Sequence, residues 1–461
     1  MVHQPSSCTT YYRRLQWCSM NTEAAYNQAL DYLYSFVDYS LKHASELAKA
    51  DFNLDRMVIL LAELGNPHQA YPIIHIAGTK GKGSTSALCA SALKAAGYRT
   101  GLYTSPHLQE YTERIQVDGE PISHAELAEL VESVKPAVSR VPYLTTFEIT
   151  TAIGFLAFAR QEVKAAVIEV GLGGRLDATN VVIPDVSVIT SLSYDHMLVL
   201  GDTLAKIAGE KAGIIKPNRP VVSSPQKEEA LEVIKRVCEE RSSPLTLVGR
   251  DVLYAPIAHS LEGQSMQIWE KGCPQVEFSI PLLGAHQLEN AATAYAALKT
   301  SNFQLADDHI RNGFASVHWR ARFEIARKDP PVVFDSAHNQ DSFEKLAAVL
   351  DEYLPDRPVY LIFGASEDKL ILDMFNAIKH RLKKVILTKA NHPRALEPET
   401  IQKLANQIGL GSEIVTPVES AFSRALYLSA KDGSIVLSAG SMFVTAEVMT
   451  AWDNRGRKQD I

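Results

Sequence analysis

A loop rich in glycine and lysine follows the first strongly apolar strand pattern of the chain. The strand pattern PIIHIAG leads into GTKGKGS (residues 78–84), and a helix pattern of small residues follows at 85–97. Glycines let the backbone approach a phosphate closely, N–H groups at a helix start face the anion, and Lys82 adds a positive charge. This order of elements predicts a nucleotide site. Its contact residues are Thr79, Lys80, Gly81, Lys82, Gly83 and Ser84.

This phosphate loop is a variant of the strict Walker pattern. The strict pattern requires glycine five residues before Gly81, where the chain has Ile76. A plain glycine turn is the alternative interpretation. The strand before the loop and the helix after it nevertheless supply the context that nucleotide binding needs, and Ser84 or Thr85 supplies a hydroxyl.

The surrounding patterns indicate the elements that must hold this loop. The Val- and Ile-rich runs RTGLYTS, AAVIEVG and DVSVITSL each precede an amphipathic or small-residue segment, which predicts a parallel βα sheet. From about Leu245 to Leu283 apolar and polar residues alternate, with turns at Gly263 and Gly272. That alternation predicts a small antiparallel subsheet.

The βα alternation restarts after Pro330, in the runs PVVFDSA, VYLIFGA, KVILTKA, EIVTP and SIVLSAG. Charge concentrates just before these runs, and two prolines precede the first of them, as is typical of a domain junction. We therefore predict an α/β protein. Residues 20–318 form a P-loop-type parallel sheet domain with the antiparallel subsheet, and residues 319–461 form a second, Rossmann-like α/β domain.

Composition limits the partners and the compartment. The chain has 461 residues, of which 46 are basic and 53 acidic, and its net charge of -7 provides no basic surface for nucleic acid or an anionic membrane. No apolar run approaches the roughly 20 residues that cross a bilayer. The five cysteines are scattered and odd in number, which argues against a disulfide framework and favours a cytoplasmic location.

Residues 1–19 stand apart from these patterns. They contain Arg13 and Arg14 but no apolar core of a signal peptide, and the amphipathic pattern begins only after Met20. We interpret them as a disordered extension or a misassigned start. A short organellar presequence is the alternative, because acidic residues are absent from the segment.

Seven further segments narrow the interpretation of the phosphate loop. They are YTSPHLQEYTERIQVDG, TTFE, IEVGLGGRLDATN, SYDHMLVLGDTLAKIAGEKAGIIKP, HQLENAATA, WRARFE and DSAHN. Together, and in this order, they resemble the folylpolyglutamate synthase and dihydrofolate synthase family of the Mur ligase superfamily. Seven matches in register over both predicted domains are far more specific than one motif. The resemblance implies an ATP-binding central domain at 20–318 and a glutamate-ligase domain at 319–461.

The resemblance implies two Mg²⁺ ions between ATP and the reacting carboxylate. The metal positions are Ser105, Glu169, His196 and Lys211. Oxygen ligands suit Mg²⁺, and Glu169 ends a buried-looking strand where a carboxylate without a partner is costly. His196 is less typical of Mg²⁺ sites, so its assignment rests on the family. Lys211 corresponds to a lysine that the family carbamylates, a modification that needs a neutral amine and hence a lowered pKa.

The family's pterin pocket corresponds to GLGGRLDATN and TTFE. Asp177 would accept hydrogen bonds from the pterin ring, and Phe147 would stack on it. From the residues alone, a tight strand-to-loop turn and a core phenylalanine are the alternatives. The implied substrate contacts are Thr145, Thr146, Phe147, Glu148, Leu176, Asp177, Ala178 and Ser441.

The family's remaining ATP contacts correspond to Asn290, Arg322 and Asp335. These lie at the end of the first predicted domain, on the linker and at the start of the second, so ATP binding would draw the two halves together. His338 resembles an active-site histidine of the family, and Ser441 follows the last strand beside it. The predicted catalytic residues are Lys82, Lys211 and His338.

The linker motif departs from the family at one point. The family commonly has Pro-Gly between the tryptophan and the arginine, whereas this chain has Arg320 and Ala321 after Trp319. Because alanine disfavours positive φ, we expect a changed linker geometry at this position.

These features predict ATP-dependent ligation of L-glutamate to dihydropteroate, to reduced folates and their polyglutamates, or to both, through an acyl-phosphate. GLGGRLDATN with Asp177 favours a bifunctional enzyme over a monofunctional dihydrofolate synthase. Another Mur-type amino-acid ligase is the nearest alternative, and a P-loop nucleotide switch is the alternative from a different class. ATP, glutamate and the pterin substrate are the expected partners, and the expected state is a monomer.

Overall fold

Three β-sheets organise the part of the chain that the computed structural model describes, residues 22–39, 42 and 52–459. The predicted extension at 1–19 lies outside the described residues. A large, mostly parallel sheet comes first along the chain, a small antiparallel sheet follows, and a second mostly parallel sheet comes last. Among the described helices, none combines the length and apolarity that a bilayer crossing requires.

The first sheet has the strand order β4-β3-β2-β5-β1-β6-β7-β8. Its strands are β1 Ile73–Ala77, β2 Thr100–Tyr103, β3 Ile115–Val117, β4 Glu120–Pro121, β5 Ala165–Glu169, β6 Val186–Ile189, β7 Val221–Ser223 and β8 Leu245–Leu247. All neighbours from β2 to β8 pair in parallel, and β3 and β4 add an antiparallel edge. β1 lies in the middle, so the loop that follows it emerges at the centre of the sheet's carboxyl edge, where open α/β sheets bind ligands.

Helices cover both faces of this sheet. They are α1 (22–34), α2 Leu54–Glu63, α3 Lys82–Ala95, α4 His124–Val138, α5 Thr146–Arg160, α6 Met197–Leu200, α7 Leu204–Ala212, α8 Glu228–Glu240, α9 Ala285–Thr300 and α10 Asp307–Ala315. Along β5, Ala166 and Ile168 pack into the core formed with α2, α4 and α5. Val167 points to the opposite core, formed with α3, α9 and α10. Burial on both faces explains why these strands are continuously apolar.

The antiparallel sheet is smaller than the alternation in the sequence predicted. It consists of β9 Val252–Ser260, β10 Gly263–Glu270 and β11 Val276–Ile280. The segment at Leu245, which we expected to belong to it, is β8 and pairs in parallel with β7. Three residues are too few for alternation to distinguish an edge strand of one sheet from the first strand of another.

The last sheet has the order β12-β13-β17-β14-β15-β16. Its strands are β12 Glu324–Lys328, β13 Pro331–Phe334, β14 Val359–Phe363, β15 Leu382–Leu387, β16 Ser412–Ile414 and β17 Ile435–Ala439. Its helices are α11 Gln340–Tyr353, α12 Ile371–Ile378, α13 Pro398–Gln407, α14 Val418–Asp432 and α15 Met442–Gln459. All pairs except β12 with β13 are parallel, as expected for the predicted Rossmann-like architecture.

The linker adopts the backbone conformation that alanine was expected to disfavour. Ala321 has φ 56° and Phe323 has φ 49°. The Ala321 N–H donates to the Glu324 carboxylate at 2.9 Å, and its carbonyl accepts from the Ser336 N–H and hydroxyl at 3.1 and 3.0 Å. Ala321 thus adopts the positive φ that it was expected to disfavour, and three hydrogen bonds offset a left-handed cost of about 1–2 kcal/mol.

We predict that Gly313→Ala destabilises the packing of α10 on α3. A Cβ at Gly313 would lie 2.3 Å from the Ala92 Cα, so helix backbones must separate, and such overpacking costs about 1–3 kcal/mol. Gly209→Ala on α7 is the matched control, since nothing lies within 4 Å of its Cβ position. Urea unfolding of both variants tests this. Equal midpoints for Gly313→Ala and Gly209→Ala would contradict the assigned close approach.

Candidate active site

The phosphate loop connects the central strand β1 to the start of α3. Gly81 stands at the helix N-cap with φ 85°, in the left-handed region that glycine adopts without strain. The N–H groups of Thr79 and Lys80 donate to the Ser191 carbonyl at 3.1 and 3.0 Å, which fixes the loop to the end of β6. The N–H groups in the first turn of α3 have no intrahelical acceptor, so they are available to an anion.

Two glycines of the loop allow parts of the chain that are distant in sequence to contact it. A Cβ at Gly81 would lie 2.1 Å from the Asn290 Oδ1 on α9. A Cβ at Gly83 would lie 2.9 Å from the Trp319 ring, on the linker to the last sheet. Any side chain at either position would push away one wall of the site. The glycines are therefore required for assembly of the site as well as for phosphate approach.

Buried polar atoms without a partner lie beside this loop. The Thr85 hydroxyl on α3 and the Trp319 Nε1 have no hydrogen-bond acceptor or donor within the described protein. Buried polar groups are normally satisfied, and leaving one unpaired costs about 1–3 kcal/mol. Their position at the loop fits a polar ligand such as a nucleotide.

Two lysines converge on the first residue of the loop. Lys82 Nζ and Lys211 Nζ donate to the Gly78 carbonyl at 3.2 and 2.9 Å. Lys211 comes from α7 and is only 5% exposed. Burial, and then the nearby charge of Lys82, lower the pKa of Lys211 to about 7. A substantial fraction of this amine is therefore neutral near pH 7, which is the state that carbamylation requires.

The carboxylate of Glu169 stands at the end of β5, beside the loop. It is 5% exposed, Lys82 Nζ lies 4.0 Å from its Oε1, and the Ser105 N–H donates to Oε2 at 3.4 Å. Burial raises the pKa of Glu169, and Lys82 is the largest opposing influence. A buried carboxylate with one long hydrogen bond and one distant cation has capacity for a further positive charge.

The side chains predicted to hold metal only partly come together. The Glu169 carboxylate contacts Ser105 through the backbone N–H of Ser105, whereas the His196 side chain is 40% exposed and its Nε2 lies 4.0 Å from Asp195. In the described part of the chain, no group of three or more His, Cys, Asp and Glu residues is arranged to hold a metal. The carboxylate oxygens of Glu169 fit Mg²⁺, which typically keeps several waters and takes few protein ligands.

An ion pair crosses the cleft between the two large sheets. Asp195, in the loop after β6, lies 3.9 Å from Lys80 of the phosphate loop and 3.8 Å from Lys369 after β14. All three side chains are at most 15% exposed. Although burial raises the pKa of Asp195, His196 and these lysines hold it below its usual value. Asp195 thus links the nucleotide loop to the last sheet.

The linker and the last sheet supply residues that face this cleft. Asp335 follows β13, and its carboxylate accepts from the Phe323 and Ala337 N–H groups at 2.8 and 2.7 Å. Burial lowers the pKa of Arg322, while the charges of Asp335 and then Glu169 raise it. The linker arginine thus interacts electrostatically with carboxylates from both halves of the chain.

His338 is held as a neutral imidazole beside the same cleft. Its Nδ1 lies 2.8 Å from the Ser336 carbonyl, which assigns the proton to Nδ1 and leaves Nε2 as the acceptor. Burial, and then Lys80 and Lys369, lower the pKa of His338 to about 3. Ser441 is also close to this segment, because the Gly440 N–H donates to the Ala337 carbonyl at 2.7 Å.

The TTFE residues begin α5 and are largely used within the fold. Thr145 and Glu148 form a capping box, and Glu148 also accepts from the Arg56 Nε at 3.0 Å. The Thr146 hydroxyl donates to the Leu33 carbonyl at 2.9 Å and ties α1 to this helix. These bonds give the three polar residues structural roles. Their predicted contact with substrate stays a prediction.

Phe147 brings the two predicted pterin-pocket segments together. Its ring lies against Gly171, where a Cβ would be 2.5 Å from the Phe147 Cζ. Asp177, six residues further along the glycine-rich segment, is 6% exposed, and its Oδ2 accepts from the Leu172 N–H at 2.9 Å. The neighbouring Ala178 is buried, and Leu176 is partly buried. The fold thus packs the Phe147 ring, from α5, against the glycine-rich turn that carries the Asp177 carboxylate.

The sequence analysis did not predict three of the residues that form contacts at the site. Asp195 is adjacent to the predicted His196, so its position in SYDH was available as a signal. Trp319 belongs to the matched motif WRARFE, but nothing in the motif indicates that its ring packs on Gly83. Lys369 lies in no recognised motif, and its pairing with Asp195 depends on how the two halves meet.

Comparison with known proteins identifies the class to which this site belongs. The model of the Mur ligase middle domain matches residues 76–298, and that of the Mur ligase, glutamate ligase domain, matches residues 321–442. The first match includes the phosphate loop, and the second includes Asp335 and His338. Both parts of a Mur-type ligase are therefore present.

Individual relatives narrow this class. Dihydrofolate synthase/folylpolyglutamate synthase of Bacillus subtilis (strain 168) is 34% identical over 439 residues, 92% of this chain and 98% of the relative. Among solved structures, Mycobacterium tuberculosis folylpolyglutamate synthase complexed with ADP has a TM-score of 0.85 at 32% identity, covering 93% of this chain and 98% of that one. Escherichia coli FolC in complex with DHPP and ADP has a TM-score of 0.79 at 29% identity, covering 91% and 100%. The chain belongs to the folylpolyglutamate synthase/dihydrofolate synthase family.

We predict that Lys82→Ala leaves the fold intact but abolishes ADP formation from ATP, because a positive charge at the phosphate loop is lost. The affinity for ADP should fall at least about tenfold, the size of one charge-assisted hydrogen bond. Lys94→Ala, at the exposed end of the same helix, is the matched control. Calorimetric titration with ADP and circular dichroism check both variants. Near-normal turnover by Lys82→Ala would refute the role of this lysine.

Proposed function

We propose that this enzyme ligates L-glutamate to dihydropteroate and to reduced folates and their polyglutamates, with ATP converted to ADP and phosphate. The observation that carries the proposal is the phosphate loop whose Lys82 lies 4.0 Å from the buried Glu169 carboxylate, at the cleft facing the last sheet. The family supports the reaction class. Relatives that carry the name dihydrofolate synthase/folylpolyglutamate synthase support both pterin substrates, and a relative in complex with DHPP and ADP supports the first of them.

The first step transfers the γ-phosphoryl group of ATP to the substrate carboxylate. Lys82 and the first-turn N–H groups of α3 hold the phosphates, and the substrate carboxylate attacks in line. The products are ADP and an acyl-phosphate. Thr79, Lys80, Gly81, Gly83, Ser84, Asn290, Arg322 and Asp335 are the proposed further nucleotide contacts.

In the second step the glutamate amine attacks the acyl carbon, phosphate leaves and an amide forms. His338, whose Nδ1 is held by the Ser336 carbonyl, presents Nε2 as a hydrogen-bond acceptor and is proposed to orient the amine of glutamate for this attack. Closure of the last sheet over the loop excludes water, which would otherwise hydrolyse the acyl-phosphate. Ser441, beside the His338 segment, is the proposed further contact for glutamate.

Mg²⁺, two ions by family resemblance, would be held at Glu169, Ser105, His196 and a carbamylated Lys211. When bound, Mg²⁺ neutralises phosphate charge and orients the transferred group. Support comes from the buried carboxylate of Glu169, which has a long hydrogen bond from the Ser105 N–H at 3.4 Å and Lys82 at 4.0 Å, and from the pKa of Lys211, lowered to about 7 by burial. Carbamylation would turn Lys211 from a cation into an anion and supply the oxygen donor that the local set lacks.

The pterin ring is proposed to lie between Phe147 and Asp177. Phe147 offers an aromatic face, and Asp177 offers a carboxylate that accepts from the ring's N–H groups. The further proposed contacts are Thr145, Thr146, Glu148, Leu176 and Ala178.

The proposal also includes a boundary between the two functional domains at residue 319, a monomeric state and a cytoplasmic location. The free thiols Cys89, Cys238 and Cys273 agree with a reducing compartment.

Coupled measurement of ADP formation tests the proposal directly. The purified protein is assayed with ATP and Mg²⁺, with and without glutamate, and with dihydropteroate or tetrahydrofolate in turn. Turnover that needs glutamate and proceeds with both pterins is expected, and mass spectrometry should show each product heavier by one glutamyl residue. Turnover with dihydropteroate alone would restrict the activity to dihydrofolate synthesis. ATP hydrolysis that ignores glutamate and both pterins would refute the ligase.

We predict that Glu169→Gln raises the Mg²⁺ concentration needed for half-maximal turnover and slows the reaction. The amide removes the negative charge but keeps the shape, so the metal loses one anionic ligand, at a cost of about tenfold or more in affinity. Glu239→Gln, at the exposed end of α8, is the control. Mg²⁺ titrations at saturating ATP provide the measurement. Superimposable titrations for Glu169→Gln and wild type would contradict the metal role.

A further inference from the structure

A histidine occupies the middle of a fully buried strand of the first sheet. β1 reads Ile-Ile-His-Ile-Ala, all five residues are buried, and His75 is 0% exposed. Burying an imidazole costs free energy unless it is hydrogen-bonded, and a valine or isoleucine would suit this position better. The proposed reaction does not use His75, so its presence needs another reason.

A chain of two short hydrogen bonds joins His75 to the proposed pterin contact. The His75 Nε2 lies 2.9 Å from the Thr179 Oγ1, and that hydroxyl donates to the Asp177 Oδ1 at 2.6 Å. An ionised carboxylate only accepts hydrogen bonds, so the single Thr179 proton points to Asp177. The hydroxyl oxygen must then accept from His75, which places the imidazole proton on Nε2.

The surroundings of His75 keep it in this one state. Burial, and then the charge of Lys216, lower the pKa of His75 to about 3, so the ring is neutral. Its Nδ1 is buried and has no hydrogen-bond partner in the described protein. A neutral ring with the proton on Nε2 keeps its hydrogen bond to the Thr179 hydroxyl oxygen. The other tautomer, with the proton on Nδ1, would leave that oxygen without a donor.

The carboxylate of Asp177 is fixed from two sides by this arrangement. Its Oδ1 accepts from the Thr179 hydroxyl and from the Thr179 N–H at 3.0 Å, and its Oδ2 accepts from the Leu172 N–H at 2.9 Å. Without the hydroxyl bond, the carboxylate would retain only backbone donors. The hydrogen bonds from His75 to Thr179 and from Thr179 to Asp177 therefore connect the glycine-rich turn to the centre of the sheet.

We propose that His75 and Thr179 are positioning residues for pterin recognition, which orient the Asp177 carboxylate toward the ring of the substrate. His75 stands three residues before Gly78, so one rigid strand sets both the phosphate loop and the pterin carboxylate. The distance between the phosphate donor and the pterin end of the substrate is thereby fixed by the central strand. This inference rests on the proposed function of Asp177.

Matched substitutions separate positioning from stability. Thr179→Val removes the hydroxyl at constant shape, and Thr179→Ser retains it. His75→Leu removes the donor, and His75→Gln keeps an N–H near the position of Nε2. We expect Thr179→Val and His75→Leu to raise the KM for dihydropteroate about tenfold, the effect of misplacing one charge-assisted hydrogen bond. Their KM for ATP should stay within about twofold of wild type, and Thr179→Ser and His75→Gln should resemble wild type.

A double-mutant cycle provides the second measurement. In an Asp177→Ala background, Thr179→Val should produce no further rise in the KM for dihydropteroate, because the contact that it positions is gone. Thermal unfolding of every variant shows whether it folds, and ADP binding shows whether the phosphate loop is intact. If Thr179→Val fails to fold, His75→Leu takes its place in the cycle.

The outcomes distinguish this inference from the proposed function. If wild type shows no glutamate-dependent turnover, the proposed function and the inference both fail. If wild type turns over and Thr179→Val leaves the KM for dihydropteroate unchanged, only the inference fails. Parallel rises in the KM for dihydropteroate and for ATP would also overturn it, since they indicate a general loss of structure around β1.

Discussion

The pairing of a buried carboxylate with the phosphate-loop lysine is the interaction on which the site depends. Glu169, at the end of β5, lies 4.0 Å from Lys82, at the start of α3. Lys82 and Lys211 both donate to the Gly78 carbonyl. Charges in such a place are costly unless each has a partner. Bound phosphate and metal ions would supply the partners that these buried charges need. Binding of the ligands would therefore also balance the charge of the cluster.

Contacts made by the second half of the chain complete the same cluster. Trp319 packs on Gly83, and Asp195 stands between Lys80 and Lys369. These contacts join the linker and the last sheet to a loop more than 200 residues earlier in the chain. A ligase that makes a reactive acyl-phosphate needs this closure, because water must be kept from the intermediate.

The central strand has two tasks, which explains its one polar residue. Its end positions the phosphate loop, and His75 in its middle reaches Asp177 through Thr179. Under the proposed function, one rigid strand thus positions both the phosphate loop and the carboxylate that would contact the pterin. Polar residues in a fully apolar strand are costly, so such a residue points to a connection that the fold requires.

The sequence by itself determined the alternation of strands and helices in the two parallel sheets, the phosphate loop and the family, because these are local patterns of apolar period, glycine position and motif spacing. It also placed Glu169, Lys211 and Asp177 in named segments. Only the tertiary structure decided that β8 joins the first sheet, that Ala321 accepts a positive φ, and that Lys369 pairs with Asp195. These depend on hydrogen bonds and charges between residues distant in sequence, which no local pattern records.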